Sequence, residues 1–209
     1  MRKLGLKKDL KYLYLPSAKK IEIVKVPAMN FAMIDGAIEK GLGPGTSPLF
    51  QENMTALYGI AYTLKFMLKQ RKVDPVDYPV MALEGLWWVE GVEFDITQPG
   101  GWKYTVMIMQ PDHINPEIFQ EALGQLRKKR GDKPAFSRLR LESFQEGLCI
   151  QVMHIGPYSE EMTTIARMDA FAQENGYLLH GKHHEIYMGD PRRSAPEKLK
   201  TILRHPVIR

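Results

Sequence analysis

The sequence is poor in the features that announce the commoner biochemical classes. It has one cysteine, Cys149, in 209 residues, so no internal disulfide can form, and no Cys-x-x-Cys spacing offers a structural zinc site. The six histidines are scattered. The adjacent pair His183-His184, read as part of a strand, points to opposite faces and cannot hold one ion. Cys149 and His154 fall on opposite faces of another strand, which removes a Cys/His nucleophile pair. No apolar run reaches the roughly 18–20 residues of a membrane-spanning helix. The basic start, MRKLGLKKDLKYLYLPSAKK, lacks the apolar core and cleavage site of a secretory signal. Gly-x-Gly-x-x-Gly, P-loop and Gly-x-Ser-x-Gly motifs are missing, as are helix-turn-helix, RRM and KH signatures. These absences predict a cytoplasmic protein with no metal, no cofactor, no membrane partner and no specific nucleic-acid partner.

What is present is ordinary for a globular chain. The hydrophobic fraction of 44% is enough for the core of one large domain or two small modules. A net charge of +5 raises the question of nucleic acid. The basic residues gather in patches: Lys7, Lys8, Lys11, Lys19 and Lys20; Arg127 to Arg130; and Arg192, Arg193, Lys198 and Lys200. Without a binding motif these read as solvated surface.

Residues 1–19 have no periodicity and read as a basic N-terminal arm that packs late or stays mobile. Alternation predicts strands at 21–26 and 29–35. The Gly/Pro-rich stretch 41–48 is a loop that ends in a helix start, with Ser47 as cap and Pro48 in the first turn. Met54, Leu57, Tyr58, Ala61, Leu64 and Leu68 then form one face of a helix running to about Lys69. Strands follow at 80–90 and 103–109, joined by a turn at Gln98-Pro99-Gly100-Gly101. A helix capped at Asn115-Pro116 covers about 116–129. Strands at 138–144 and 148–154 are joined by Gln145-Glu146-Gly147. A helix at 159–174 stops at Asn175-Gly176, and strands at 183–188 and 200–207 close the chain. The order strand, strand, helix, strand, strand thus occurs twice, at about 20–110 and 135–209. The expected fold is α+β: a broad antiparallel sheet with helices on one face and a groove on the other.

Strand parity sorts the candidates for chemistry. His183, Glu185 and Tyr187 share one face of their strand, while His184, Ile186 and Met188 share the other. The second set reads as core beneath a helix, and the first as the uncovered groove face. A half-dry carboxylate there suits a counter-ion or general base, although an exposed strand edge would read the same. In the matching strand, Glu84, Leu86, Trp88 and Glu90 share a face. The repeat places Glu84 opposite Glu185, a carboxylate pair of the kind acid/base hydrolysis uses. Trp88 would be a pocket wall and Trp87 core. Tyr104, of uncertain parity, and Tyr62, at a rim, are further candidates. Met33, with Met29, Met107, Met109 and Met153, would supply a deformable lining.

The runs Ile155-Gly156-Pro157-Tyr158-Ser159-Glu160-Glu161 and Gly181 to Arg193, which contains Glu185-Ile186-Tyr187 and Asp190-Pro191, resemble the GyrI-like small-molecule-binding family. So does Lys198 to Val207, and Pro79 to Trp88 with Trp102 to Pro111 resembles its stand-alone branch. The resemblance covers about 20–209. It implies duplicated β-α-β-β modules forming a concave sheet around a ligand cleft. Relatives include effector-binding domains of multidrug-sensing regulators, in which an acidic residue of the Glu-x-Tyr strand faces the ligand; here that residue is Glu185. Some stand-alone members look like hydrolases that open the cyclopropane of DNA-alkylating natural products. The nineteen preceding residues are too few for a regulator's DNA-binding helices. Three readings stand. The first is a binder of flat aromatic, apolar or cationic small molecules, with hydrolysis as an added activity. The second is a cofactor-independent hydrolase using Glu185 and Glu84, with Trp88, Tyr104, Tyr187, His183, Tyr62 and Met33 around the ligand. The third is a protein-interaction module acting on gyrase or a regulator.

Overall fold

Capping chemistry sets the main helix boundaries. In the computed structural model, which describes residues 1–92, 94 and 101–209, strand β1 (Arg2–Lys3) and the helical turns α1 (Leu6–Asp9) and α2 (Lys11–Tyr14) precede strand β2 (Glu22–Ala37). Helix α3 (Pro48–Lys69) begins where Ser47 accepts a hydrogen bond from the Phe50 N–H and Pro48 occupies the first turn. Strands β3 (Val76–Asp77), β4 (Leu83–Trp88) and β5 (Lys103–Gln110) lead to helix α4 (Pro116–Arg130), capped by Asn115 on the Ile118 N–H. Strand β6 (Arg140–Ile155), helix α5 (Glu161–Glu174) and strands β7 (Leu178–Leu179), β8 (His183–Tyr187) and β9 (Lys200–Ile208) follow. Among the described residues no helix is long and apolar enough to cross a membrane. The turn expected at 98–101 lies outside the described residues, Gly101 apart.

Two expected strand pairs are instead single long strands. Residues 21–26 and 29–35 merge into the sixteen residues of β2. Pro27 does not break it, because a proline holds its predecessor extended. Residues 138–144 and 148–154 merge into β6, and Gly147, at φ 82°, is an irregularity within the strand rather than a chain reversal. The N-terminal arm is packed, with Leu13 0% and Tyr14 5% exposed.

Strands β2 and β5, β4 and β8, β6 and β9, β7 and β9, and β8 and β9 pair antiparallel, whereas β1 and β3 pair in parallel. The chain divides into two compact units, each drawn from three segments. One comprises Met1–Asp9, Met29–Met81 and Pro99–Phe144. Within it β2 pairs with β5, from Asn30 opposite Gln110 to Ala37 opposite Lys103, and α3 packs on β5 and α4. The space that a Cβ on Gly36 would need is filled by Tyr104, opposite it, and by Asn53 of α3.

The other unit comprises Leu10–Ala28, Ala82–Gln98 and Gln145–Arg209. Here β4, β8, β9 and the end of β6 lie side by side. One face carries the rungs Gly85, Glu185, Leu203, Val152 and Leu83, Tyr187, Thr201, His154. The opposite face carries Leu86, His184, Arg204, Gln151 and Glu84, Ile186, Ile202, Met153. Helix α5 lies on the first face. Its Met168 and Ala172 join Ile150, Val152, Leu203 and Val207, with Ile21 and Tyr177, in a buried apolar cluster.

Candidate active site

The rung pattern decides what Glu185 meets. Leu203, beside it in β9, packs beneath Met168 and Ala172. The face of His183, Glu185 and Tyr187 is therefore the helix-packed face, not the bare one expected. Alternation separates the two faces, but both carry apolar residues, so it does not say which one a helix covers. The consequence is chemical, because the first residue of α5, Glu161, comes to lie beside Glu185.

Glu185 is 6% exposed and sits among aromatic and polar side chains. His183 Nε2 is 3.1 Å from its Oε1. The His183 ring stacks on Phe94, with centroids 5.5 Å apart and planes at 18°. The Tyr187 hydroxyl accepts the Trp87 indole N–H at 3.0 Å, which leaves its own proton for Glu185. Burial first, then the Glu185 charge, pushes the Tyr187 phenol well above its ordinary value, so it stays a donor. Tyr187 is half-buried, and its ring meets Tyr158 edge-on at 5.9 Å. Gly85, directly opposite Glu185, makes this arrangement possible. A Cβ there would meet Trp87 Nε1 at 2.7 Å and the Tyr187 hydroxyl at 3.2 Å.

Tyr158 is delivered by the turn Gly156-Pro157-Tyr158. His154 braces that turn, with Nε2 3.3 Å from the Pro157 carbonyl and Nδ1 2.9 Å from the Thr164 hydroxyl of α5. The carbonyl can only accept, so Nε2 carries the proton and Nδ1 accepts from Thr164. Gly156 adopts φ 144°, a conformation side chains rarely take.

Glu161 is the unusual group. It is 0% exposed; its carboxyl oxygens make no hydrogen bond of ordinary geometry among the described residues, and the Thr201 hydroxyl is the donor nearby. Burial first and the Glu185 charge second hold its carboxyl well above the usual carboxylate range, while Thr201 pulls weakly the other way. Its surroundings therefore favour the uncharged acid.

Glu84 does not face Glu185. The register sets Gly85, not Glu84, opposite Glu185, so the two carboxylates point to opposite sides of the sheet. Glu84 joins a different buried cluster. Its Oε2 is 3.0 Å from His184 Nε2, and its Oε1 accepts the Tyr14 hydroxyl at 2.6 Å. His184 Nδ1 is 3.0 Å from Glu146, whose carboxylate also lies 3.5 Å from Arg204. Arg204 further donates to Gln151 and to the Leu13 carbonyl. Burial alone would lower the His184 pKa, but Glu146 and Glu84 on its two ring nitrogens outweigh burial and push it up to about 9. His184 is thus a buried imidazolium rather than apolar core, and two carboxylates balance it and Arg204. Burial would raise Glu146, yet His184 and Arg204 hold it below its ordinary value.

The other expected site residues are dispersed. Trp88 is on the Glu84 face, with its indole N–H directed at Glu90 at 3.3 Å and the Lys182 ammonium 3.4 Å over its ring. Trp87, read as core, is buried but belongs to the Glu185 group. Tyr104, Tyr62 and Met33 belong to the first unit. Tyr104 is fully buried against Phe50 and accepts from Asn53 at 2.9 Å. Tyr62 is 48% exposed and stacks between Tyr58 and Phe66. Met33 is buried, its sulfur 3.8 Å from Arg140. Sequence reasoning missed Glu161, Tyr158, Glu146, Arg204 and Tyr14. A signal for the first two was present in the Gly-Pro-Tyr-Ser-Glu-Glu run; burial of the others depends on contacts distant in sequence. Among the described residues no group of three or more His, Cys, Asp or Glu side chains is placed to hold a metal ion.

Comparison with known proteins places this architecture. The profile of the GyrI-like small molecule binding domain family matches residues 19–207. The chain is similar to a crystallised hydrolase from Listeria innocua at 38% identity and TM-score 0.82, with 100% of both chains covered. A second hydrolase from Listeria innocua is 40% identical with TM-score 0.85, covering 99% of this chain and 100% of that one. An uncharacterized conserved protein of the same organism is 41% identical with TM-score 0.88 over 100% of both chains. The C-terminal domain of EcmrR shares the fold alone, at 11% identity and TM-score 0.54 over 91% of this chain and 98% of that one. No curated protein matches the sequence significantly. With the family profile spanning nearly its whole length, the chain belongs to the GyrI-like small molecule binding domain family.

Proposed function

We propose that the Glu185 cluster binds a flat, largely apolar small molecule and hydrolyses it, with Glu185 as the general base that takes a proton from water. The observation that carries this is a buried carboxylate held on two sides, by His183 and by Tyr187, among aromatic rings. Such anchoring fixes the base in one geometry and excludes bulk water, which a positioned base requires. Two Listeria innocua proteins called hydrolases, at 38% and 40% identity, support the reaction class. The substrate is an electrophilic carbon in a strained ring, and the electrophilic cyclopropane suggested by the sequence resemblance is the first to try. Water's oxygen bonds to that carbon, the ring bond breaks toward the atom that receives the electron pair, and that atom gains a proton. The test is turnover of an electrophilic cyclopropane in isotopically labelled water, followed by mass spectrometry. Wild type should incorporate one labelled oxygen, and Glu185→Gln should turn over about 10²–10⁴-fold more slowly. No incorporation by wild type, or full activity in Glu185→Gln, refutes the reading.

A binding-only reading is favoured by one feature. Among the described residues Glu185 pairs with His183 and with no lysine or arginine, which leaves the counter-ion position for a cationic ligand. In that case matched cationic and anionic dyes separate in affinity, and Glu185→Gln weakens only the cationic dye, by about 1–3 kcal/mol. Equal affinities for the two dyes exclude it.

A further inference from the structure

We infer that Glu161 and Glu185 hold a single proton between them and work as a one-proton dyad, with Glu161 as the residue that keeps the proton in the site. The inference rests on the reading of Glu185 as the working base. Its ground is geometric. Glu161 begins α5 on the face shared by Glu185, is fully buried, and makes no hydrogen bond of ordinary geometry through either oxygen among the described residues. Two buried carboxylates that feel one another's charge cannot both ionise unless a cation or a set of donors meets each of them. Glu185 has His183 and the Tyr187 hydroxyl. Glu161 has only the loosely placed Thr201 hydroxyl, so it is the member that carries the proton.

The surroundings offer no competing charge. From β8, the groups on this face are Glu185, Tyr187 and His183. From β9 come Thr201, whose hydroxyl is unpaired, and His205, whose ring centroid lies 6.3 Å from that of His183 and which burial lowers to about 4, so it stays neutral. From β6 comes His154, whose ring nitrogens are engaged with Thr164 and Pro157. Glu185 and Thr201 are the described groups that bear on Glu161's titration. A structural carboxyl would be expected to pair with one of the many lysines and arginines or to face water. Glu161 does neither, and it stands where it and Glu185 feel one another's charge.

The dyad completes the proton balance of the hydrolysis. At the start it holds one proton. Glu185 takes a second from the attacking water as the new C–O bond forms. The electron pair of the breaking bond goes to the leaving atom, which takes one proton from the dyad. The dyad ends with one proton, as it began, and no outside acid is needed. The substrates that suit it are those whose leaving atom must be protonated, such as a ring bond that opens to an enol, a phenol or an alcohol.

Infrared spectroscopy tests this without substrate. Wild type near pH 7 should show the C=O stretch of a protonated carboxylic acid. Glu161→Gln should lack that band, and in Glu185→Gln it should titrate away at lower pH, because the neighbouring charge is gone. If Glu161→Gln does not fold, the wild-type and Glu185→Gln spectra suffice. No protonated band in wild type, a band that survives in Glu161→Gln, or an unmoved titration in Glu185→Gln overturns the dyad. Turnover adds a second arm. In Glu161→Gln, kcat should fall about 10²-fold with KM retained, and the rate should no longer decline on the alkaline side. An unchanged pH profile overturns the dyad. A protein that shows the infrared signature but no turnover refutes the hydrolase reading alone.

Discussion

Consider how stability should respond to pH through His184. This ring has a carboxylate on each nitrogen, both 3.0 Å away, and is 1% exposed. Its pKa rises from an ordinary 6.5 to about 9. At about 1.36 kcal/mol per pH unit this corresponds to about 3 kcal/mol, a sizeable share of the roughly 5–15 kcal/mol that holds a typical domain folded. Because the folded protein binds the proton more tightly, the contribution is complete below pH 6.5, declines from there to about 9, and is absent above. Glu161 and, at the alkaline end, Cys149 act in the same direction because both are raised, while His205, lowered to about 4, acts oppositely near pH 6.5, so the total slope belongs to several groups. The difference between wild type and His184→Gln isolates the histidine. The assay is urea denaturation at intervals from pH 6 to 10. Wild type should lose about 3 kcal/mol more than His184→Gln across that range, the mutant being less stable at the acid end. If His184→Gln cannot be folded, the ring's NMR titration in wild type gives the midpoint directly. A midpoint near 6.5, or identical slopes in the two proteins, refutes the account of His184 as a buried imidazolium.

Two further substitutions probe the packing on either side of the sheet. Gly85→Ala places a Cβ 2.7 Å from the Trp87 indole nitrogen, which cannot bend aside, and should cost about 1–3 kcal/mol in urea denaturation. An unchanged midpoint means the rings move freely and do not hold Glu185. Tyr14→Phe removes the 2.6 Å hydrogen bond to Glu84 and should cost about 1.5–3 kcal/mol. Unaltered stability means that His184 alone satisfies that carboxylate.

The helices were legible because their signals are local. Ser47-Pro48 and Asn115-Pro116 start α3 and α4 where the caps predict. The strand breaks were less so. Pro27 and the Glu146-Gly147 pair look like turn chemistry, yet each lies inside a sixteen-residue strand. A proline is compatible with extended backbone, and a glycine at positive φ serves a strand irregularity as well as a turn. Whether the chain reverses there depends on which strands it pairs with, and those partners are distant in sequence.

The site shows the same division more sharply. Alternation correctly groups His183, Glu185 and Tyr187, since period two is a local property. The partner of Glu185 is not local. It depends on the stagger between β4 and β8, and a slip of one residue exchanges the two faces. Aligning Glu84 with Glu185 by repeat pattern is one residue from the actual register, which sets Gly85 there. The clue was Gly85 itself, a glycine inside an otherwise large-residue strand, Leu83-Glu84-Gly85-Leu86-Trp87-Trp88. An interior glycine weakens a strand and so signals that something must come close to the backbone at that point. Here the groups that come close are the Trp87 indole and the Tyr187 hydroxyl. With Gly85 fixed opposite Glu185, parity sends Trp87 to the Glu185 face and Glu84 with Trp88 to the other. The carboxylate that does reach Glu185 then has to come from outside these two strands, and α5, packed on that face, brings Glu161.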